Sequence, residues 1–145
     1  ILLKDRTELL VSKKEINPPI NLQIEANTPS AEIHKGQLVF EQLTDIESIT
    51  FSENTAYLDF DQLQFPLTIR NWKQGDKIQP LGMKNRSKLV SDVLINKKIN
   101  QFDKEKQLVI ESKNKIIWLV DIMVSEQFAL TKKTKIAFKI SSIKY

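Results

Sequence analysis

A chain of 145 residues, 41% of them hydrophobic, can bury one real core, either as a single domain or as a domain with a small appended lobe. The lack of cysteine excludes a disulfide framework and a thiolate metal site, and fits a reducing, cytoplasmic setting. The formal charge of +4 is unevenly spread: residues 1–65 carry 5 lysines and arginines against 11 acids, and residues 66–145 carry 17 against 7.

A basic half on an acidic half predicts a polyanionic partner. Nucleic acid comes first, because neutralising phosphates releases counterions. A merely solvated lysine-rich surface gives the same count, and only Arg6, Arg70 and Arg86 among the cations are arginines.

The start, Ile1-Leu2-Leu3-Lys4-Asp5, turns charged too soon for a signal peptide. A chain opening at Ile without Met reads as part of a longer one. Leu9 to Lys13 predicts a short strand, broken by Asn17-Pro18-Pro19. Ile20, Leu22, Ile24 and Ala26 then alternate with polar residues, the period of a strand. Thr28-Pro29-Ser30 and His34-Lys35-Gly36 read as turns. Further strands are expected at Leu38 to Phe40, Ile46 to Phe51 and Ala56 to Phe60. A last one before the centre runs from Leu63 to Ile69, with Pro66 arguing for an edge or a bulge.

Arg70 to Met83 breaks this pattern. Two of the chain's three glycines, Gly75 and Gly82, fall here with Pro80 between them. Glycine admits positive φ and proline fixes φ, so the segment predicts a loop of dictated path. It carries Arg70, Lys73, Asp76 and Lys77. Trp72 can stack on a base or anchor the loop from beneath, and its size favours the core. Trp118, in an apolar strand, reads as core.

After the loop the period becomes helical. Leu89, Val90, Val93 and Leu94 follow Ser87 as a candidate N-cap, giving a helix over about 87–96 with Lys97 and Lys98 at its C-terminal end. Asn100 to Lys106 reads as a polar helical turn. Gln107 to Glu111 and Ile116 to Ile122, around Ser112-Lys113-Asn114-Lys115, predict a hairpin. Ile116 to Val120 is the longest apolar run and is far too short to span a membrane. Ile136, Phe138 and Ile140 alternate in a final strand. The expected fold is α+β, a strand-rich mixed sheet with one clear helix after the Gly/Pro loop. Residues 1–64 form an acidic linker or first lobe, and residues 65–145 the basic domain.

Most site chemistry is missing from the sequence. No phosphate-cradling glycine loop of either common pattern occurs. His34 is the single histidine and has no second ligand in view. Asp59 and Asp61 put two carboxylates on one strand face, but no third ligand accompanies them, so a metal or hydrolytic site is the weakest reading. Asp76 and Asp92 sit among lysines, where pairing or capping is the expected role. No catalytic constellation and no metal set emerges.

The pattern Arg70-x-Trp72-x-x-Gly75-Asp76-x-x-x-Pro80-x-Gly82, then Lys88-Leu89-x-Ser91-Asp92, then Ile116-Ile117-Trp118-Leu119-Val120 resembles the C-terminal domain of bacterial tRNA(Ile)-lysidine synthetase. The resemblance runs from about Phe65 to Ile140. It implies a parent enzyme whose N-terminal domain uses ATP, Mg and lysine to convert the wobble cytidine of a CAU-anticodon tRNA to lysidine. None of that family's ATP-loop residues is present here. The resemblance therefore implies a non-catalytic, cofactor-free part that docks tRNA(Ile) by its acceptor stem beside the catalytic domain of the same polypeptide. The phosphate contacts it suggests are Arg70, Lys73, Lys77, Lys84, Arg86 and Lys88, extended by Lys97, Lys98 and Lys104. Trp72, Gly75, Asp76, Pro80, Gly82 and Asp92 would shape the loop. Asn100 and Lys104 stand where the family often has Pro and Arg. At Lys104 that keeps charge but loses bidentate geometry. The rival expectation is a protein-interaction domain that docks on a catalytic partner or forms a homodimer.

Overall fold

The structure is a computed structural model and is described for residues 18–83 and 86–145. The strand expected at Leu9 to Lys13 and the cation Lys84 lie outside the described residues.

Eleven strands and two short α-helices appear among the described residues: β1 (Asn21–Ile24), β2 (Ser30–Ile33), β3 (Gly36–Leu43), β4 (Thr55–Asp59), β5 (Leu67–Asn71), β6 (Lys77–Ile78), β7 (Lys88–Leu89), α1 (Val90–Asn96), α2 (Gln101–Lys106), β8 (Leu108–Ser112), β9 (Lys115–Leu119), β10 (Met123–Val124) and β11 (Ala137–Lys144). The strand-rich α+β fold with a helix after the loop is as expected. Three sheets form, ordered β1-β5-β8-β9-β10, β2-β3-β11-β4 and β6-β7, and every strand pairing among the described residues is antiparallel, so no sheet is mixed.

The two larger sheets face each other across the main core. Leu38, Phe40, Leu58, Phe138 and Ile140 from one meet Ile24, Leu67, Ile69, Ile110 and Trp118 from the other. Strand alternation decides what happens on the far face. In β8, Leu108 and Ile110 point into the main core, whereas Val109 points away into a second cluster with Ile78, Val90, Val93, Leu94, Ile116 and Leu119. A register shift between Ile110 and Glu111 lets both Ile117 and Trp118 serve the main core. So β6, β7 and α1 form a third layer over the outer face of the five-stranded sheet. Residues on either side of position 64 share both large sheets: β1 pairs with β5, and β3 and β4 flank β11.

Several local expectations change. Leu63 ends a 3₁₀ turn (Phe60–Gln62), and the strand starts only at Leu67. Pro66 precedes that strand behind a cis peptide bond, and β5 is interior, not an edge. Residues 46 to 51 form no strand; the exposed Phe51 packs edge-on against Tyr57. Ser87 does not cap α1, which starts at Val90 behind Leu89 with no side-chain cap. Asn100 is a true N-cap: its side chain accepts from the Asp103 N–H at 2.8 Å and starts α2. No helix of the described residues is long and apolar enough to cross a membrane.

Candidate nucleic-acid interface

The motif loop hangs on one ion-pair network. Arg70 lies on the β5 face opposite Leu67 and Ile69, so its side chain points toward the third layer. Nη1 and Nη2 donate to the two oxygens of Asp76 at 2.9 and 3.0 Å, and Nη2 also donates to Glu111 at 2.9 Å. Glu111 sits diagonally across β8, since Arg70 faces Val109 and Thr68 faces Glu111. Nη1 further donates to the Asn71 carbonyl. The side chains of Arg70 and Asp76 are only 13% and 7% exposed. Arg70 was expected to meet phosphate. Both of its terminal nitrogens are bonded inside the protein, where they tie the loop to β8. Those two carboxylates hold its pKa above the ordinary value, so the guanidinium stays charged.

Asp76 joins the loop to both neighbouring layers. Its carboxylate accepts from the Lys73 N–H at 2.8 Å, closing the turn that Gly75 passes at φ 94°. Its carbonyl accepts from the Val90 N–H at 2.9 Å, one of the donors that the start of α1 would otherwise leave unpaired. Burial pushes the Asp76 carboxyl up, but the Arg70 bonds and the Lys73 N–H outweigh it and hold it below the usual range.

Trp72 is half-buried against the second cluster, and its Nε1 donates to the Lys104 carbonyl at 2.7 Å. It thereby ties the loop to α2. Further along, Gly82 turns at φ 82° and its N–H donates to Glu126 at 2.8 Å, while the Glu126 N–H donates to the Gln79 carbonyl at 2.7 Å. Pro80 starts the turn closed by the Met83 N–H. Asp92 lies exposed in the first turn of α1, where a carboxylate suits the helix dipole.

The remaining cations divide by exposure. Lys73, Lys77, Arg86, Lys97 and Lys98 are exposed, whereas Lys88 and Lys104 are half-buried. Lys73 and Lys77 ride on the loop, and Lys77 faces Leu89 across the β6–β7 ribbon, one position from Lys88. The ribbon runs directly into α1, which ends at Lys97 and Lys98. Lys104 is tied to the loop through Trp72. These residues thus belong to one connected layer.

A polar cleft of about 370 Å³ opens between the ribbon and the β8–β9 turn, with Arg70, Asp76 and Glu111 at its base and Lys77 and Lys115 in its walls. Sequence reading missed Glu111, Lys115 and Glu126, which are distant from the loop in the chain. The one available signal was the hairpin, which returns residues 111 to 116 beside β5. Elsewhere, Asp59 and Asp61 are not a carboxylate pair on one strand face: Asp59 ends β4 and accepts the Asp61 N–H at 3.2 Å in the 3₁₀ turn. No cluster of three or more potential metal ligands occurs among the described residues.

The family profile described as TilS substrate C-terminal domain matches residues 67–140, from the start of β5 into β11. The chain belongs to this family. A tRNA(Ile)-lysidine synthase of Parabacteroides distasonis is 34% identical over 142 residues, covering 92% of this chain and 31% of the relative. One from Clostridium perfringens is 36% identical over 105 residues, covering 72% of this chain and 22% of the relative. The chain therefore spans a third or less of the length of these curated relatives. A crystal structure of a TilS C-terminal domain superposes with a TM-score of 0.74 at 14% identity, covering 88% of this chain and 98% of that one, which shows the shared fold.

Proposed function

We propose that this TilS-type domain is the tRNA-docking part of a tRNA(Ile)-lysidine synthase. The observation that carries the reading is the buried Arg70–Asp76–Glu111 network. It fixes the path of a loop that carries the exposed cations Lys73 and Lys77. Preorganised cations suit a phosphate backbone, which positions a partner without reading its sequence. The names of the relatives point to tRNA(Ile) as the substrate class, and in this reading the tRNA has a CAU anticodon and is gripped by its acceptor stem. ATP, Mg and lysine belong in this reading to the catalytic domain of a longer cytoplasmic protein, and this part contributes no catalytic group.

The contacts we retain are Lys73, Lys77, Arg86, Lys88, Lys97, Lys98 and Lys104. Arg70 becomes a positioning residue. Titrating the chain with tRNA(Ile) of CAU anticodon, an unrelated tRNA and duplex DNA across a salt series tests this. Tight, salt-sensitive binding with a preference for tRNA is expected. Weak and equal binding to all three would remove the docking role.

One observation favours a second reading. An apolar depression of about 540 Å³ has the exposed Phe51 and Leu81 at its rim, the kind of surface a protein partner covers. Salt-insensitive self-association in sedimentation, abolished by Phe51→Ser, would support that reading.

A further inference from the structure

The cleft beneath the motif loop has features that phosphate docking alone does not use. Its volume of about 370 Å³ is roomy enough for one nucleotide. Lys77 and Lys115 both line it, one on β6 and one at the start of β9, both exposed and without ion pairs among the described residues. Asp76 and Glu111 would repel an anion at the base, but Arg70 neutralises part of that charge, so anion affinity is confined to the lysine-bearing walls. Gln79 and Gln127 also line the cleft.

Glu111 sets the chemistry of the base. Its Oε2 accepts from Arg70, and its Oε1 has no partner among the described residues although the side chain is only 18% exposed. An ionised carboxylate is an acceptor and nothing else. The complementary group is an exocyclic amine, which cytosine, adenine and guanine carry and uracil lacks.

We propose that this cleft binds a single unpaired nucleotide of the docked RNA, with its phosphate held by Lys77 and Lys115 and an amino-bearing base (cytosine, adenine or guanine) donating to Glu111. The assignment rests on the docking reading and names a subsite within it. It also separates two kinds of cation: those on the outer surface follow the backbone of a stem, while Lys77 and Lys115 hold a nucleotide that has left the stack.

The test is a pair of measurements on the chain. Amide shifts are followed by NMR during titration with CMP, AMP, GMP and UMP at low salt. The shifts should centre on residues 77–79 and 111–116, with CMP, AMP and GMP each binding at least about fivefold tighter than UMP. Glu111→Gln should erase that preference, with a thermal melt confirming that the variant is folded. The Lys77→Gln/Lys115→Gln double variant, which leaves the buried network untouched, should lower the salt slope of tRNA binding by about one. Equal binding of the four nucleotides, or shifts elsewhere, would overturn the subsite. If tRNA binds salt-sensitively while the nucleotides leave the cleft unmoved, the subsite fails and docking stands. If CMP moves the cleft and tRNA does not bind, docking fails and a nucleotide site remains.

Discussion

Asp76 bonds to Arg70 and the Lys73 N–H through its carboxylate, and through its carbonyl to α1. Removing one partner of a buried pair leaves the other charge uncompensated, which typically costs about 3–5 kcal/mol. Asp76→Asn keeps the shape and one acceptor, so a loss near the lower end, about 3 kcal/mol, is expected in urea unfolding at neutral pH. The pH dependence has a definite sign. Asp76 ionises more readily folded than unfolded, so the unfolded chain binds the extra proton and stability rises with pH. The contribution is complete above the ordinary carboxyl value of 3.8 and fades as pH falls through the lower folded-state value. Acid unfolding of the wild type should therefore steepen below about pH 4, and Asp76→Asn should show a flatter curve there. Trp72→Phe tests the other anchor. It keeps most of the apolar ring and deletes the 2.7 Å bond to Lys104, whose carbonyl still accepts from the Gln107 N–H. A cost of about 1 kcal/mol follows, read in the same unfolding assay.

Among the elements, α2 depends on its cap more than on its packing. It buries no residue, so the Asn100 side chain closing its first turn supplies much of its definition. Asn100→Ala should cost about 1 kcal/mol and show first as faster amide exchange over residues 101 to 106. Gly36 is constrained by space: a Cβ there would lie 2.5 Å from the Ile143 carbonyl oxygen across the β3–β11 pair. Gly36→Ala should therefore separate those strands and lower the melting temperature by several degrees. The same elements show what the sequence made legible. β11 and the body of α1 were readable because their apolar residues keep one period, and the β8–β9 hairpin because two apolar runs flank the polar turn Ser112 to Lys115. Ile46 to Phe51 carries strand-forming residues yet finds no partner strand, and pairing is a tertiary fact. Ser87 looked like a cap, but the ribbon pairing of Lys88 and Leu89 delays the helix to Val90, whose N–H is met by Asp76. In the candidate site, the loop was legible from Gly75, Pro80 and Gly82. The inward turn of Arg70 was not, because Glu111 lies 41 residues away.

For the molecule as a whole, charge and topology run on different plans. The acidic early residues and the basic later ones interleave in the same two sheets, so the charge imbalance divides surfaces of one core. A surface that docks RNA through several cations should lose affinity linearly in log salt, and each single neutralisation at Lys73, Arg86 or Lys97 should reduce that slope by about one, whatever the RNA sequence. Arg70→Lys should instead leave the slope near its original value while lowering thermal stability, because it weakens the scaffold beneath the cations. The four-stranded sheet has a consequence for biosynthesis. β11 stands between β3 and β4, which touch it and not each other. A ribosome delivers β3 about a hundred residues before it delivers β11, and until then the inner faces of two strands wait with no neighbour between them. Nascent chains halted before residue 137 should therefore be protease-sensitive and prone to chaperone capture, and become resistant in a single step once residues 137 to 144 have cleared the exit tunnel.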